Sequence, residues 1–187
     1  ARFLPAIEML EDNLEVICLD GEQDYRLRML EQAPVYYIGE PGVRDKELND
    51  RFSLLSAQSF SKIDSIFIEG REIAARKLSD GIAWFDFEVL CGGFRSTADY
   101  IELARLHHTL FVGDIPFFGV DHSDAARRFI NLIDEIYDRN VNLIVSAVGE
   151  PEELYKHTRL AKPFKRTASR LREMRSREYL ARQHRTN

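Results

Sequence analysis

The chain has 187 residues, of which 44% are hydrophobic and 30% are charged, and its formal net charge at pH 7 is −5. This balance argues against an intrinsically disordered chain and leaves room for one sizeable domain or two small ones. No run approaches the ~18–20 apolar residues of a membrane helix, and Cys18 and Cys91 form no Cys-x-x-Cys pair, which argues against zinc and a disulfide framework and fits a reducing cytosol.

The N-terminal third is predicted to mix helices and strands. Because Phe3, Ile7 and Leu10 recur at helical spacing and no signal peptide is recognisable, we expect the chain to begin inside a helix and to continue a longer protein. The predicted elements are a helix at Phe3–Asp12, a strand at Leu14–Leu19 with a turn at Asp20-Gly21, strands at Tyr25–Leu30 and Val35–Ile38, a loop at Gly39–Gly42, and a helix at Asp45–Phe60.

A surface hairpin and a series of parallel strands are predicted between residues 65 and 147. Ser65–Ile68 and Glu72–Lys77 flank Gly70 and form the predicted hairpin. The buried strands are predicted at Ile82–Phe87, at Thr109–Val112, where Gly113-Asp114 ends the strand, and at Val141–Ala147. Their alternation with helices predicts an α/β fold with parallel strand–helix units.

Two helices are predicted between these strands. Ser96, with Asp99 three residues later, is typical of a capping box and begins a helix that runs through Leu106. The second helix has one apolar face, made of Ala126, Phe129, Ile130, Ile133, Ile136 and Tyr137. We expect this face to be buried beside the strand that contains Leu143–Val145.

The C-terminal segment is predicted to be helical and strongly basic. Residues 156–187 contain 11 Lys or Arg and 2 Glu, a net charge of +9, and the rest of the chain carries −14. The helical part, Arg166–Arg182, has an inner stripe of Phe164, Ala168, Leu171 and Met174. Two interpretations stay open: the segment neutralises the acidic body as a solvated helix, or it binds nucleotide phosphate, nucleic acid or an acidic surface.

Two aspartates are candidate site residues. Asp86 and Asp114 follow apolar strands, and the carboxyl ends of parallel strands are where open α/β sheets bind ligands and Mg²⁺. The alternative is that each forms a turn or a helix cap. His122 near Asp121 fits a helix start better than a metal corner, and no metal site is predicted. A metal phosphoesterase built on the two aspartates is the weakest interpretation.

Two arginine pairs are candidates for contact with phosphate or with an acidic partner. Arg127 and Arg128 lie in the first turn of their helix, where positive charge opposes the helix dipole. Arg166 and Arg170 are one helical turn apart and could face one phosphate, or could simply be solvated. No glycine precedes a lysine, so the chain contains no recognisable phosphate-binding loop.

Many short strings of this sequence occur in the same order in one known family. The strings are Ala1-Arg2-Phe3-Leu4-Pro5-Ala6-Ile7, Asp24-Tyr25-Arg26-Leu27-Arg28, Gly70-Arg71, Trp84-Phe85-Asp86-Phe87, Asp99-Tyr100-Ile101-Glu102-Leu103-Ala104, Ala126-Arg127-Arg128-Phe129-Ile130, Glu153-Leu154-Tyr155, Arg166-Thr167, and Ser169-Arg170-Leu171. On these residues, which span nearly the whole chain, it resembles the C-terminal half of the ZapE cell-division ATPases, the bacterial branch of the AFG-type AAA+ family.

The resemblance implies an ATPase whose Walker motifs lie in a missing N-terminal half. The intact protein would bind ATP and Mg²⁺, whereas this chain alone would bind neither and would be inactive. Arg2, Arg166 and Arg170 become candidates for nucleotide contact. The implied setting is the bacterial cytoplasm at the division site, with FtsZ or another division protein as partner. Self-association into a homo-oligomer is left open, and nucleic acid is not expected as a partner.

Three regions are expected on this basis. Residues 1–30 would end the AAA+ ATPase core, residues 31–155 would form a C-terminal α/β region, and residues 156–187 would form the basic helical segment. Two readings of function stay open. In the first, the chain is part of a Mg²⁺-dependent ATPase. In the second, it is a non-catalytic module that binds a partner and does not itself bind nucleotide.

Overall fold

A computed structural model describes residues 22–56 and 65–187 of the chain. The predicted helix at Phe3–Asp12, the predicted strand at Leu14–Leu19 and the candidate Arg2 lie outside the described residues. No helix in the two described ranges is both long enough and apolar enough to cross a bilayer.

The helices and strands alternate along most of the described sequence. The helices are α1 (Glu22–Glu31), α2 (Pro41–Leu55), α3 (Thr97–Leu106), α4 (Ser123–Asp138), α5 (Ala161–Glu173) and α6 (Arg177–Leu180). The strands are β1 (Tyr36–Ile38), β2 (Ser65–Ile68), β3 (Arg71–Ala74), β4 (Lys77–Ser79), β5 (Ile82–Asp86), β6 (Thr109–Ile115) and β7 (Asn142–Ala147). A π-helical turn occupies Glu88–Gly92, and a 3-10 turn occupies Val120–His122.

A mostly parallel sheet organises the molecule and confirms the predicted α/β fold. Its strand order is β1-β7-β6-β5-β4. The first four of these run parallel, and β4 pairs antiparallel with β5 at one edge. Strands β2 and β3 pair with each other as the predicted hairpin, outside this sheet.

Alternate residues of the central strands enter two cores on opposite faces of the sheet. Trp84, Phe111 and Ile144 face the core that contains Leu48 and Phe52 of α2. Their neighbours enter the other core, which α3, α4 and α5 cover; these are Ala83, Phe85, Leu110, Val112, Leu143 and Val145. Because both faces are covered, the strands are apolar at nearly every position, which is typical of a parallel sheet.

The apolar face of α4 lies where the sequence predicts it. Phe129, Ile133 and Ile136 are fully buried, and Tyr137 is partly buried against the same core. The Phe129 ring centroid lies 5.5 Å from that of Phe118 and 6.3 Å from that of Phe164 in α5. The inner stripe of the basic segment is also buried, so α5 packs on the same core as α4.

Several local predictions are wrong. The strand predicted at Tyr25–Leu30 is part of α1, in which Leu27 and Leu30 pack on the core beside α2. The predicted loop at Gly39–Gly42 is shorter, because α2 begins at Pro41, and proline is favoured at a first helical position. Strand β6 does not end at Gly113-Asp114 but continues to Ile115 through an irregularity in its pairing with β7.

Candidate functional site

The two candidate aspartates lie on neighbouring parallel strands and meet at one arginine. Asp86 is the last residue of β5 and is opposite Gly113 of β6. Arg76, between β3 and β4, places its Nε 2.5 Å from Asp86 Oδ1 and its Nη2 3.4 Å from Asp114 Oδ2. The two side chains, both predicted at the carboxyl ends of their strands, therefore lie together in one region of ionic contacts.

Helix α2 completes this region from the other side. Arg44 Nη2 lies 3.2 Å from Asp114 Oδ1, and Asp45 accepts a hydrogen bond from Arg76 Nη1. The Arg44 side chain is only 4% exposed, because Leu48 and Phe52 on the same helix hold that face against the sheet. We call Arg44, Asp45, Arg76, Asp86 and Asp114 the strand-end cluster.

Asp114 has an unusual backbone conformation within the cluster. Its φ is +61°, in the left-handed region that aspartate tolerates better than most residues. Its N–H donates a hydrogen bond of 2.9 Å to Ser146 Oγ on β7 instead of continuing the strand ladder. This break coincides with the shift of the β6–β7 register between Val112 and Ile115.

Burial and charge act against each other in the strand-end cluster. Burial raises the pKa of the Asp86 carboxyl, although the neighbouring Arg76 guanidinium lowers it. Burial lowers the pKa of Arg76, but Asp45, Asp86 and Asp114 outweigh it, and the net shift is upward. Three buried donors, Nε and Nη1 of Arg44 and Nε1 of Trp84, find no acceptor in the described structure.

The strand-end cluster is a salt-bridge network in which arginines hold both candidate carboxylates. Both candidate carboxylates face arginines, and among residues 22–56 and 65–187 no three His, Cys, Asp or Glu side chains could hold a metal ion together. His122 contacts the backbone instead: its Nδ1 accepts a hydrogen bond of 3.2 Å from the Gly119 N–H at the start of the 3-10 turn.

Arg166 and Arg170 both face α4. Each forms an ion pair with Asp134, and Arg170 Nη2 also lies 3.1 Å from Asp138 Oδ1. The Arg170 guanidinium carbon is 4.5 Å from the ring centroid of Tyr137. These contacts dock α5 on α4. Contact of either arginine with nucleotide stays a prediction.

In the other candidate pair, Arg128 is half-buried and contacts the fold, whereas Arg127 lies at the surface. Arg128 donates hydrogen bonds from Nε to Cys91 O at 2.7 Å and from Nη2 to Gly92 O at 3.3 Å, and so supports the π-helical turn. Arg127 is exposed. A role of either residue with a partner or phosphate stays a prediction.

Sequence reasoning missed the arginines of the strand-end cluster. Arg44 and Asp114 are 70 residues apart, and no local pattern links them. One signal was available: Arg44 precedes Leu48 and Phe52 at intervals of four residues, which places it on the buried face of a helix. Arg76 has no comparable signal.

The chain matches a family model and several known proteins. The model of the AFG1-like ATPase family matches residues 1–183. Cell division protein ZapE of Escherichia coli K12 is 37% identical over 184 residues, which cover 98% of this chain and 49% of that protein. An uncharacterized protein of Schizosaccharomyces pombe is 37% identical over 155 residues, covering 82% of this chain and 34% of that protein.

A vertebrate protein is also similar. Lactation elevated protein 1 homolog B of Danio rerio is 29% identical over 150 residues, covering 79% of this chain and 30% of that protein. The chain thus spans about half the length of ZapE, where it matches the C-terminal half, and less of the other two. No solved structure matches the chain.

Proposed function

The chain belongs to the AFG1-like ATPase family, whose model matches residues 1–183, and from this premise we propose that the intact protein is an AAA+ ATPase of bacterial cell division. In this role it binds and hydrolyses ATP with Mg²⁺ in the cytoplasm and acts on the FtsZ ring at the division site. The observation that carries the proposal is the 37% identity with cell division protein ZapE, which extends over 98% of this chain.

The part played by this chain is structural support of the ATPase and not the hydrolysis itself. No Gly-Lys pair is available for a phosphate loop, and the strand-end carboxylates are held by Arg44 and Arg76. In the intact protein the phosphate bond that is hydrolysed would belong to ATP, which binds together with Mg²⁺. We assign no step of this hydrolysis to the described residues. The strand-end cluster instead fixes α2 against the ends of β5 and β6.

Nucleotide contact in the intact protein would come from arginines at the edges of this region. Arg2, Arg166 and Arg170 are the proposed candidates. Arg166 is the more accessible of the two on α5, since its side chain is 58% exposed and that of Arg170 is 19% exposed. Arg166 could therefore exchange Asp134 for a phosphate group with less disturbance of the packing.

A second candidate function is a non-catalytic module that binds a division partner. It is favoured by the contacts of three candidate site residues. Asp86, Asp114 and Arg128 bind other residues of the same fold and are therefore occupied without nucleotide. In this reading the chain recognises its partner on the surface and leaves nucleotide to the rest of the protein. Self-association of the intact protein remains part of both proposals.

Two measurements test the proposals. The intact protein, with a region that corresponds to the half of ZapE that this chain does not span, is expected to turn over ATP in the presence of Mg²⁺. It is also expected to sediment with FtsZ filaments. The 187-residue chain alone is expected to show no ATP turnover and no heat of ATP binding in titration calorimetry. Nucleotide binding by the chain alone would contradict the partner-binding reading, and an inactive full-length protein would contradict the ATPase proposal.

A further inference from the structure

Four basic side chains near the start of α5 differ from the arginines that follow them. Six arginines between residues 166 and 182 each form an ion pair with a carboxylate; they are Arg166, Arg170, Arg172, Arg175, Arg177 and Arg182. Lys156, Arg159, Lys162 and Lys165 are exposed and form no ion pair with the described residues. We call these four residues the basic rim.

The position of the basic rim is unfavourable for the helix itself. Helix α5 begins at Ala161, and its first turn contains Lys162 and no acidic residue. The amino end of a helix dipole is positive, so Arg159 and Lys162 are unfavourable beside it. Lys162 and Lys165 are also like charges three residues apart on one helix, which is unfavourable. Local stability therefore does not account for these charges, whereas an anionic partner would be attracted by all of them.

An apolar groove lies beside the basic rim. It has a volume of about 280 Å³ and runs between the 152–157 segment and the outer side of α5. Tyr155 and Phe164 stack with centroids 5.1 Å apart and form its floor, and Ala161 and Ala168 leave it open. Its walls carry Lys156, His157, Lys165 and Ser169.

The floor of the groove is fixed before any partner arrives. The Leu160 N–H donates a hydrogen bond of 3.1 Å to the Tyr155 hydroxyl, and Phe164 packs on Phe118 with ring centroids 5.5 Å apart. The Phe118 N–H in turn donates to Leu154 O at 2.7 Å, which joins the two loops. A partner would meet a preformed surface and would lose little affinity to reorganisation.

The charged side chains that line the groove are Glu152, Lys156 and Lys165, so its net charge is positive. Glu152 is the acidic side chain among its described lining residues, and Arg172 Nε holds it at 2.7 Å. The hydrogen bond to Arg172 is the main reason that the pKa of Glu152 is lowered. The groove thus combines an apolar floor with Lys156 and Lys165 and their neighbours Arg159 and Lys162, four cations that form no ion pair within residues 22–56 and 65–187.

We propose that this groove and the basic rim bind a short acidic peptide segment of a partner protein, with one apolar side chain of the peptide seated on Tyr155 and Phe164. Carboxylates on either side of that anchor would pair with the rim. Single-stranded nucleic acid fits less well, because a base needs an open ring face on which to stack and these two rings stack on each other. One aliphatic side chain needs only the part of the two rings that lines the groove. The site goes beyond ATPase activity, since it needs neither nucleotide nor the N-terminal half.

The test is fluorescence anisotropy with three labelled probes and the 187-residue chain, without ATP. The first probe is a short peptide of Asp and Glu with a central Leu-Phe pair, and the second has Ser-Ser in place of that pair. The third is a single-stranded DNA oligonucleotide of equal charge. We expect the first peptide to bind most tightly. Equal binding of the Ser-Ser peptide or the DNA would overturn the proposal, as would absence of binding.

Variants locate the site. Lys162→Glu and Lys165→Glu are each expected to weaken the first peptide about tenfold, through reversed rim charge. Ser169→Trp, which fills the groove without changing charge, is expected to do the same. Lys46→Glu, at an exposed lysine of α2, reverses one charge elsewhere and should leave the affinity unchanged. Unchanged binding by Lys165→Glu and Ser169→Trp, or equal weakening by Lys46→Glu, would overturn the site whether or not the full-length protein hydrolyses ATP.

Discussion

Arg71 holds the buried carboxylate of Asp99 with two hydrogen bonds from one nitrogen. Arg71 Nη2 lies 2.6 Å from Asp99 Oδ1 and 2.8 Å from Oδ2, and the Asp99 side chain is completely buried. The same carboxylate accepts hydrogen bonds from the Ser96 N–H at 2.6 Å and from Ser96 Oγ at 3.1 Å. One side chain therefore caps α3 and ties the β2–β3 hairpin to it.

Asp99→Asn should be strongly destabilising. The change leaves the half-exposed Arg71 without its carboxylate and replaces one buried acceptor of the cap with a donor, so we expect a loss of about 1–3 kcal/mol in the free energy of unfolding. Urea denaturation followed by circular dichroism measures it. Glu102→Gln on the same helix removes an exposed pair with Arg105 and should cost less than about 1 kcal/mol. Equal effects of the two variants would contradict the double role of Asp99.

Phe129→Ala tests the core beneath α4. The ring is fully buried among Phe87, Phe118 and Phe164, so its removal should cost about 3–5 kcal/mol through lost contacts and a cavity. Phe94→Ala is the matched control, because Phe94 is 95% exposed and should be nearly neutral. Thermal and urea unfolding of both variants give the difference, and a Phe129→Ala loss below about 1 kcal/mol would mean that the face is misassigned.

Arg166→Lys and Arg170→Lys separate nucleotide contact from docking. Lysine keeps the charge that pairs with Asp134 but loses the planar fork that grips a phosphate. If one of the arginines contacts nucleotide, its lysine variant of the full-length protein should lose about tenfold or more of the ATP turnover. The Arg166 side chain is 58% exposed, so the stability of Arg166→Lys should change by less than about 1 kcal/mol. Arg170 is 19% exposed and lies over the Tyr137 ring, so Arg170→Lys should cost about 1–2 kcal/mol.

Asp134→Asn is the control for this pair, since it removes the docking partner and leaves both arginines in place. Turnover that survives both lysine variants but falls with Asp134→Asn would assign the arginines to docking alone. The opposite pattern would support contact with phosphate. The measurement is steady-state ATP turnover, with circular dichroism to confirm folding.

His107 should make stability depend on pH. Burial lowers the pKa of the His107 imidazole, and the nearby His184 lowers it further, although the Leu103 carbonyl, 3.1 Å from Nδ1, raises it. The unfolded chain then binds more protons than the native one below about pH 6.5, so stability is lost as pH falls from that value toward the lowered pKa. His107→Asn should flatten this part of the curve of melting temperature against pH. A slope that is the same in His107→Asn as in the wild type would contradict this prediction.

The regular core of this fold could be predicted because its periodicity is strong. The face of α4 repeats every three to four residues, and β5, β6 and β7 are apolar runs of strand length, so element type and parallel order follow. The strand predicted at Tyr25–Leu30 was wrong because its local pattern is misleading. Its polar and apolar residues alternate at the start like a strand, and the packing of Leu27 and Leu30 beside α2 decides for a helix.

Only the two aspartates of the strand-end cluster could be predicted from the sequence. The positions of Asp86 and Asp114 follow from the strands that carry them. Their partners come from other elements that are distant in the sequence. Arg76 precedes Asp114 by 38 residues, and Arg44 precedes it by 70 residues. Such pairs depend on the tertiary arrangement of the hairpin and α2, for which a single sequence contains no periodic signal.

The pairing of β1 with β7 constrains the order in which the molecule can fold during synthesis. Tyr36 pairs with Val145, which lies roughly 110 residues later in the chain. At a synthesis rate of about 5–20 residues per second, β7 is completed roughly 5–20 s after β1. During that interval the apolar side chains of Tyr37, Leu48 and Phe52 have no finished sheet to cover, and a nascent chain arrested before β7 should be a ready substrate for chaperones.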